Sequence, residues 1–350
     1  MPPSVEAGSL SQPTSVEALD EMLSRPTPAV VDLFARLSGD LIVLGVAGKM
    51  GPTLARMAQR ASEAANSPRR IIGVSRFSDP AERKKLEAWG IETLAGDLLD
   101  EPFVHSLPDA DNVVFMAGMK FGATGNESLT WAMNTLLPAN VCRRYARSRI
   151  AAFSTGNVYG LAPLASGGSV ETDAPDPVGE YAMSCLGRER VFEHYSKTAD
   201  TPVSLLRLNY ACELRYGVLV DLALKVQREQ PIDLSMGMVN VIWQGDASAM
   251  ALLSLEEADA PASVFNLAGP EQVSVRRVAE QLGERLGKTP VFTDQPQPAA
   301  ILSNGQRGHQ RFGYPQLPIL TLIDWVAHWV ASDGQLLGKT TKFEVRDGKF

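Results

Sequence analysis

Short apolar segments alternate with amphipathic ones from residue 41 to about residue 155. The apolar segments have the length of strands and cover residues 41–45, 71–75, 91–95, 112–117 and 150–154. Helical patterns lie between them, at residues 52–65, 80–89 and 127–147. Because strand, helix and strand in this order place both strands parallel, the alternation predicts an α/β fold with a doubly wound parallel sheet. A sixth strand is predicted at 203–208.

Three glycines follow the first predicted strand and precede a helix that is expected to begin near Met50. They are Gly45, Gly48 and Gly51. In a dinucleotide-binding turn the first glycine permits a tight bend, and the second lets the backbone approach a pyrophosphate. The third lets the helix pack closely, so that its N-terminus faces the anion. At the first strand of a long alternating pattern, this spacing predicts a nicotinamide dinucleotide site.

The end of the second predicted strand indicates which dinucleotide is bound. NAD enzymes tend to carry an acidic residue there for the ribose 2′-hydroxyl, whereas a 2′-phosphate favours an arginine. This chain has Ser75 and Arg76 at that point, and Lys49 adds positive charge in the glycine loop. We therefore predict NADP or NAD as cofactor, with NADP favoured.

The whole chain of 350 residues is expected to have four parts. They are an N-terminal helical extension at 1–38, a dinucleotide-binding domain at 39–208, a mainly substrate-binding part at 209–332 and a polar tail at 333–350. Some strands of the third part are expected to return to the main sheet. Within it a helix is predicted at 216–228 and single strands at 239–242 and 264–267.

Composition excludes several classes of partner. The net charge of −7 argues against binding to a nucleic-acid backbone, and no apolar run has the length of a membrane span. The N-terminal residues lack the pattern of a secretory signal. Cys142, Cys185 and Cys212 show no metal-binding spacing and are expected to be reduced thiols. These features predict a cytoplasmic protein without a metal site.

Later segments carry a second set of signals. Thr155 follows the fifth predicted strand, Tyr181 opens a helix, and Asn209 ends the sixth strand. Together with the glycine loop, these segments resemble the extended short-chain dehydrogenase/reductases of the NAD(P)-dependent epimerase/dehydratase family. The resemblance covers residues 40–332. It implies a Rossmann-type sheet with a smaller α/β substrate-binding part, a small-molecule substrate and a homodimer.

The resemblance also assigns cofactor contacts. It implies that Asp97 contacts the adenine amino group and that Leu98 lines the adenine pocket. Ala117, Gly118 and Lys120 resemble a segment of the sugar epimerases in which the lysine reaches the pyrophosphate. In the family, the backbone of the strand that ends at the position of Asn209 faces the nicotinamide.

The catalytic pair implied by the resemblance is Thr155 and Tyr181. The threonine would bind a substrate oxygen, and the tyrosine would contact the cofactor and exchange the proton that accompanies the hydride. The family carries a lysine four residues after the tyrosine, which lowers the tyrosine pKa and binds the nicotinamide ribose. This chain has Cys185 at that position.

The missing lysine leaves three interpretations open. Another cation could assist Tyr181, with Lys120 and Arg188 as the candidates. A different base, Glu180 or Glu171, could carry the proton. Alternatively, the protein binds the dinucleotide without turnover and acts as a regulatory or sensor protein.

Three further residues are predicted to contact substrate, namely Asn157, Trp243 and, as the resemblance implies, Asn134. Val239 occupies the place of an arginine that nucleotide-sugar enzymes direct at the diphosphate. We therefore predict oxidoreduction, epimerisation or dehydration at a carbinol or carbonyl carbon. The expected substrate is a small polyol, sugar or sugar acid rather than a nucleotide sugar.

Overall fold

The computed structural model describes residues 11–120 and 125–349, and its centre is a seven-stranded parallel sheet. Its strands are β1 (Leu41–Leu44), β2 (Ile71–Ser75), β3 (Glu92–Ala95), β4 (Asn112–Phe115), β5 (Arg149–Thr155), β6 (Val203–Leu208) and β7 (Ser263–Leu267). Across the sheet the order is β7-β6-β5-β4-β1-β2-β3. The direction of winding thus reverses between β1 and β4, and the predicted doubly wound Rossmann-type fold is confirmed.

Helices cover both faces of this sheet. The N-terminal and nucleotide-binding segments contain α1 (Val16–Leu23), α2 (Pro28–Arg36), α3 (Gly51–Ala64), α4 (Pro80–Ala88), α5 (Glu101–Ser106), α6 (Glu127–Trp131), α7 (Leu137–Arg144) and α8 (Gly179–Ala199). The remainder contains α9 (Val218–Gln227), α10 (Gln244–Leu253), α11 (Val275–Leu286), α12 (Gln306–Phe312) and α13 (Ile319–Ala331).

Strand β1 shows why the strands read as continuous apolar runs. Leu41 and Val43 pack beneath α2, α3 and α10, whereas Ile42 and Leu44 pack against α5, α7 and α8 on the other face. All four side chains are fully buried. A strand that is covered on both faces needs apolar residues at every position rather than at alternate ones.

The helix predicted at 127–147 is divided. A π-helical turn, Ala132–Leu136, separates α6 from α7. Pro138 stands in the first turn of α7 and has no backbone N–H to offer to the preceding turn. This accounts for the wider turn just before it.

The C-terminal part has its own core, formed between α9, α11 and α13. The strand predicted at 239–242 is wrong in one respect, since the structure has two strands there. Met238–Val239 pairs with Val273–Ser274, and Ile242–Trp243 pairs with Ala211–Cys212. Asn240 separates them because its amide nitrogen donates to the carbonyl oxygens of Gly269 and Ser303.

Helix α1 and the C-terminal tail both pack against this C-terminal core. Leu19 and Leu23 of α1 are buried in it, as is Phe343 of the tail. Ser15 and Thr27 cap α1 and α2, since their hydroxyl groups accept hydrogen bonds from the backbone nitrogens of Ala18 and Val30. Residues 1–10 of the predicted extension and residue 350 lie outside the described residues. Across residues 11–120 and 125–349, every helix is too short or too polar to span a bilayer.

Candidate active site

A cavity of ≈ 890 Å³ runs along the carboxyl ends of the central strands. This is the edge at which open α/β sheets bind ligands. Most of the predicted site residues line it, namely Gly45, Gly48, Lys49, Met50, Gly51, Ser75, Arg76, Asp97, Leu98, Ala117, Gly118, Lys120, Thr155, Asn157 and Tyr181. The structure therefore gathers both the predicted cofactor residues and the predicted catalytic pair around one space.

The glycine loop joins β1 to α3 at one end of the cavity. Gly45 has a φ of +91°, and a Cβ there would lie 2.7 Å from the backbone nitrogen of Ala117. A Cβ at Gly51 would lie 2.1 Å from the carbonyl oxygen of Val46. At Gly48 the nearest protein atom would be 3.4 Å away, so this position leaves the loop surface open. The loop and the first turn of α3 fit a dinucleotide pyrophosphate, because N–H groups at a helix start bind anions.

The adenine end of the cavity carries charges of both signs. Leu98 is 5% exposed, whereas Asp97 is exposed and accepts a hydrogen bond from the backbone nitrogen of Leu99 at 2.9 Å. Arg76 is exposed at the wall beside these residues. Asp79 and Glu82 line the cavity as well. Sequence reasoning missed these two carboxylates, which oppose the preference for a 2′-phosphate that Arg76 suggests.

The predicted catalytic pair is in contact. Thr155 ends β5, and its hydroxyl accepts a hydrogen bond from the backbone nitrogen of Asn157 at 3.2 Å. Tyr181 lies in the first turn of α8, which begins at Gly179 with a φ of +82°. A hydrogen bond joins the Tyr181 and Thr155 side chains and acts to lower the tyrosine pKa. A substrate oxygen in the cavity could therefore meet both hydroxyl groups.

Burial raises the pKa of Tyr181, and the neighbouring Cys185 raises it further. Cys185 is fully buried, and burial also raises the pKa of its thiol. The thiol is therefore neutral at physiological pH and provides no positive charge. Arg188 acts in the opposite direction and lowers the pKa of both Tyr181 and Cys185.

Arg188 lies at the cavity wall and is only 6% exposed. One guanidinium nitrogen donates to the carbonyl oxygen of Phe153 at 2.8 Å, and another donates to the side chain of Asn134. Its Nε has no hydrogen-bond partner among the described residues. A Cβ at Gly118 would lie 2.1 Å from the guanidinium, so this glycine makes room for the arginine.

Two lysines bring further charge to the cavity. The Nζ of Lys120 lies 5.6 Å from the centre of the Tyr181 ring, and burial lowers the pKa of Lys120 to about 8. The Nζ of Lys49 lies 3.2 Å from the centre of the Tyr216 ring. Burial, together with the charges of Lys120 and Lys339, lowers the pKa of Lys49 to about 7.

The two carboxylates considered as alternative bases have other roles. Glu180 accepts a hydrogen bond from the Trp131 indole at 2.6 Å. Glu171 accepts one from the backbone nitrogen of Asn266 at 2.8 Å. Neither residue belongs to the cavity lining. Of the three interpretations of the missing lysine, proton transfer by Glu180 or Glu171 has the least support from the structure.

Three predicted site residues lie behind the cavity wall. Asn134 is fully buried and holds Arg188, while its amide also donates to Ser184 at 2.8 Å. The amide nitrogen of Asn209 donates to the side chain of Asn240 at 2.7 Å. The ring of Trp243 lies 6.2 Å from that of Trp325 within the C-terminal core. These contacts position neighbouring elements, and the predicted ligand contacts of the three residues stay predictions.

A buried ion pair that sequence reasoning missed fixes α8, the helix that carries Tyr181. Glu189 of α8 and Arg207 of β6 are 2.7 Å apart, with side chains 0% and 4% exposed. Ser154 of β5 donates to Glu189 at 2.6 Å, and Arg207 donates to the Tyr159 hydroxyl at 2.7 Å. The pair thus holds α8, and Tyr181 with it, against the two strands beneath. Its only sequence signal is Arg207, the one charged residue in the buried strand β6.

The fold and this cavity define an α/β protein built to bind a dinucleotide. Residues 41–212 match the model of the NAD dependent epimerase/dehydratase family. This nucleotide-binding segment belongs to that family, which confirms the resemblance found in the sequence. No curated protein matches the chain by sequence.

Solved structures of several sugar-nucleotide epimerases share the fold. The UDP-glucose 4-epimerase of Thermotoga maritima is 16% identical and has a TM-score of 0.69, with 84% of this chain and 99% of that chain covered. The Thermus thermophilus UDP-glucose 4-epimerase complex with NAD is 19% identical and has a TM-score of 0.68, with 83% and 98% covered. UDP-glucuronic acid 4-epimerase from Bacillus cereus, in complex with NAD, is 17% identical and has a TM-score of 0.68, with 83% and 96% covered.

Proposed function

We propose that this protein is an NAD(P)-dependent enzyme acting at a carbinol or carbonyl carbon of a small polyol, sugar or sugar acid. Its reaction is oxidoreduction, or epimerisation or dehydration through a transient ketone. The contact between Thr155 and Tyr181, in the cavity that the glycine loop also lines, carries this proposal. Family membership of residues 41–212 supports it.

The protein's own part in the reaction is proton transfer and orientation. A nicotinamide dinucleotide held by the glycine loop would supply the hydride chemistry at the substrate carbon. Thr155 would hold the substrate oxygen, and Tyr181 would take the proton from that oxygen or give it back. Because burial raises the pKa of Tyr181, the tyrosinate needs a nearby positive charge to form.

Arg188 is our candidate for this charge. It is buried, it lowers the pKa of Tyr181, and it lies one helical turn beyond Cys185 on α8. We expect Arg188→Met to reduce the rate at neutral pH by roughly tenfold or more and to shift the pH profile upward. Thermal unfolding of the variant, measured in parallel, separates this effect from a loss of folding.

Restoring the family's lysine provides the matched experiment. Cys185→Lys alone would place a second buried cation beside Arg188, and we expect it to be destabilising. The double variant Cys185→Lys with Arg188→Met moves the charge by one turn, and its activity should exceed that of Arg188→Met alone. A double variant that is folded but no more active would show that Arg188 acts only in packing.

The proposed substrate class differs from the UDP-sugars for which the structural neighbours are named. The Thermotoga maritima and Bacillus cereus enzymes are named for UDP-sugars. In this chain Val239 stands where an arginine is expected, and it is fully buried in the C-terminal core. We therefore propose that UDP-, GDP- and dTDP-sugars are not substrates, and turnover of any of them at an ordinary enzymatic rate would refute this.

The second candidate is a cofactor-binding regulatory or sensor protein without turnover. The observation that favours it is the buried, neutral thiol of Cys185 at the position of the lysine. Calorimetry with NAD and NADP in both redox states tests the binding that the two candidates share. A screen of polyols, sugars and sugar acids for absorbance change of the reduced cofactor then separates them. Absence of dinucleotide binding at millimolar concentration would refute both.

A homodimer remains part of this proposal. Leu129 and Leu136 are 44% and 61% exposed on α6 and the π-helical turn, and Met183 is 38% exposed on α8. Trp131 of α6 is 37% exposed. These four apolar side chains form one surface, because α6 packs beside α8. Sedimentation should show a dimer, and Leu136→Asp should weaken it. A wild-type monomer at micromolar concentration would refute the assignment.

A further inference from the structure

Helix α1 of the N-terminal extension is docked on two parts of the molecule. Leu19 and Leu23 are fully buried in the C-terminal core. Glu21 pairs with Arg56 at 3.3 Å and with Arg60 at 2.6 Å, both on α3, the helix that follows the glycine loop. In the described structure, none of these five residues lines the cavity. They attach α1 to the protein from outside the cavity.

One residue of α1 does reach the cavity. Asp20 lines its wall and is only 3% exposed. One carboxylate oxygen of Asp20 lies 3.0 Å from a terminal nitrogen of Arg215, and the other lies 2.6 Å from the Nζ of Lys85 on α4. Arg215 and Lys85 line the cavity as well. Asp20 therefore fixes two side chains of the cavity wall that come from distant segments of the chain.

Arg215 is also held by its own turn. The Glu213 carboxylate accepts hydrogen bonds from the Nε of Arg215 at 3.0 Å and from its backbone nitrogen at 3.1 Å. Both side chains are buried. Among the described residues, no hydrogen bond uses the second terminal nitrogen of Arg215, and this nitrogen remains accessible. The anchored guanidinium thus keeps one nitrogen, with two N–H donors, for a ligand.

The turn that carries Arg215 lies beside the glycine loop. Tyr216 follows Arg215, and the centre of its ring lies 3.2 Å from the Nζ of Lys49, a residue of that loop. Tyr216 and Lys49 both line the cavity. Because the backbone of the loop fits a dinucleotide pyrophosphate, a cofactor bound there would bring its phosphate groups close to this turn.

Net charge does not account for this arrangement. Asp20 and Glu213 balance the positive charges of Arg215 and Lys85, so a phosphate would gain directed hydrogen bonds from the guanidinium rather than an excess of positive charge. Burying these ion pairs costs free energy, which apolar side chains would avoid if docking of α1 were their whole role. A guanidinium that is fixed before the ligand arrives loses little conformational entropy on binding.

We propose that Arg215 binds a phosphate group of the dinucleotide and that Asp20 of α1 is its positioning residue. The N-terminal extension, which precedes the segment that matches the family model, is then part of the cofactor site. This inference rests on the proposed function, because it concerns the dinucleotide of the same cavity. The phosphate belongs to the pyrophosphate or to the 2′-position of NADP, and separate probes distinguish the two.

The first test compares Arg215→Gln with Arg60→Gln, which removes the same charge outside the cavity lining. Competition with NADH, followed by fluorescence, measures the affinities for ADP, adenosine 2′-monophosphate and adenosine. We expect Arg215→Gln to weaken the binding of one of the two nucleotides roughly tenfold and to leave adenosine binding unchanged. A loss for ADP assigns the pyrophosphate, and a loss for adenosine 2′-monophosphate assigns the 2′-phosphate. Arg60→Gln should alter none of these affinities.

The second test separates positioning from charge by the sign of the effect. By charge alone, loss of the Asp20 carboxylate would strengthen the binding of an anion. Loss of positioning would weaken it, so we expect Asp20→Ala to bind the same nucleotide severalfold more weakly. Asp20→Asn keeps one acceptor oxygen and should recover part of the loss. Glu21→Ala, which removes a carboxylate from the next residue of α1, should leave nucleotide affinity unchanged. In an Arg215→Gln background, Asp20→Ala should have no further effect.

Arg215→Gln leaves Glu213 buried without its partner. If this variant does not fold, Glu213→Gln combined with Arg215→Gln removes the pair together and takes its place. The inference is overturned if the Arg215 variants bind both nucleotides as the wild type does, if Asp20→Ala binds them as tightly or more tightly, or if Glu21→Ala causes an equal loss. A wild-type protein that binds neither NADH nor NADPH would refute the proposed function and this inference with it, whereas unchanged variants of a binding wild type refute this inference alone.

Discussion

The two ends of the cavity are built in different ways. At the dinucleotide end, Gly45, Gly51 and the first turn of α3 shape the site with backbone atoms from one short segment. At the other end, positive charge around Tyr181 comes from Lys120 after β4 and Arg188 in α8. A backbone site depends on one contiguous motif, whereas a charged site depends on side chains that the fold brings together.

This difference explains how one end can keep the family's pattern while the other departs from it. A Cβ at Gly51 would meet a carbonyl oxygen, and no distant residue can relieve that contact. A cation near Tyr181 can come from any element that reaches the cavity. In the proposed mechanism, the lysine that the family carries at the position of Cys185 is therefore replaceable, provided that another positive charge approaches the Tyr181 hydroxyl.

The largest effect that we expect is at Tyr181. Tyr181→Phe should reduce the rate of the redox reaction by about 10²–10⁴-fold, because it removes the group that moves the proton. Stability should fall by only about 1 kcal/mol, the usual contribution of one hydrogen bond. Tyr195→Phe, on the same helix but outside the cavity lining, is the control. An unchanged rate in Tyr181→Phe would move proton transfer to another group.

The glycine loop offers a comparison within a single turn. Gly51→Ala should destabilise the protein by about 1–3 kcal/mol, because its Cβ has no space beside a backbone oxygen. Gly48→Ala should leave the thermal unfolding midpoint almost unchanged, yet weaken NADH binding at the open loop surface. Thermal unfolding and NADH titration of both variants test this. Equal destabilisation by the two would show that Gly48 is also a packing position.

The sequence predicted most of the fold and the turn of the glycine loop because both depend on local patterns. Apolar runs such as β1 and the glycine spacing are each contained in a few adjacent residues. The predicted strand at 239–242 was wrong because Asn240 separates its halves through hydrogen bonds to Gly269 and Ser303. Such long-range partners leave no local pattern.

The catalytic end could be predicted only in part for the same reason. Thr155 and Tyr181 were found through resemblance, and Arg188 was one of two candidate cations. The burial of Arg188 beside Gly118, and the path of the tail to the cavity, depend on tertiary packing. In the sequence, Asn134 is only a polar residue on a helix. The sequence alone does not show whether it contacts a ligand or accepts the hydrogen bond from Arg188 that the structure shows.

Cofactor choice tests the charges at the adenine end. Arg76→Ala should reduce NADP affinity by roughly tenfold or less, since one charge-assisted contact is lost and salt screens an exposed guanidinium. NAD affinity should not change. Lys84→Ala, an exposed cation on α4 outside the cavity lining, is the control. If the wild-type protein prefers NAD, Asp79 and Glu82 outweigh the arginine, and the predicted NADP preference is wrong.

The smallest expected effect is the pH dependence of dinucleotide binding, which compares Lys49 with Lys120. Before ligand binds, the pKa of Lys49 is about 7 and that of Lys120 about 8. An anion raises both values, so binding is tightest below them, where both lysines are charged, and weakens as pH rises through them. We expect NADH affinity to fall severalfold between about pH 6 and about pH 9.

Variants assign the two steps of this profile. Lys49→Gln should remove the decline near its pKa of about 7, and Lys120→Gln the decline near about 8. Each variant should bind NADH less tightly than the wild type at acidic pH and approach it at alkaline pH, where the wild-type lysine is already neutral. A wild-type affinity that does not vary with pH would show that neither lysine contacts the dinucleotide.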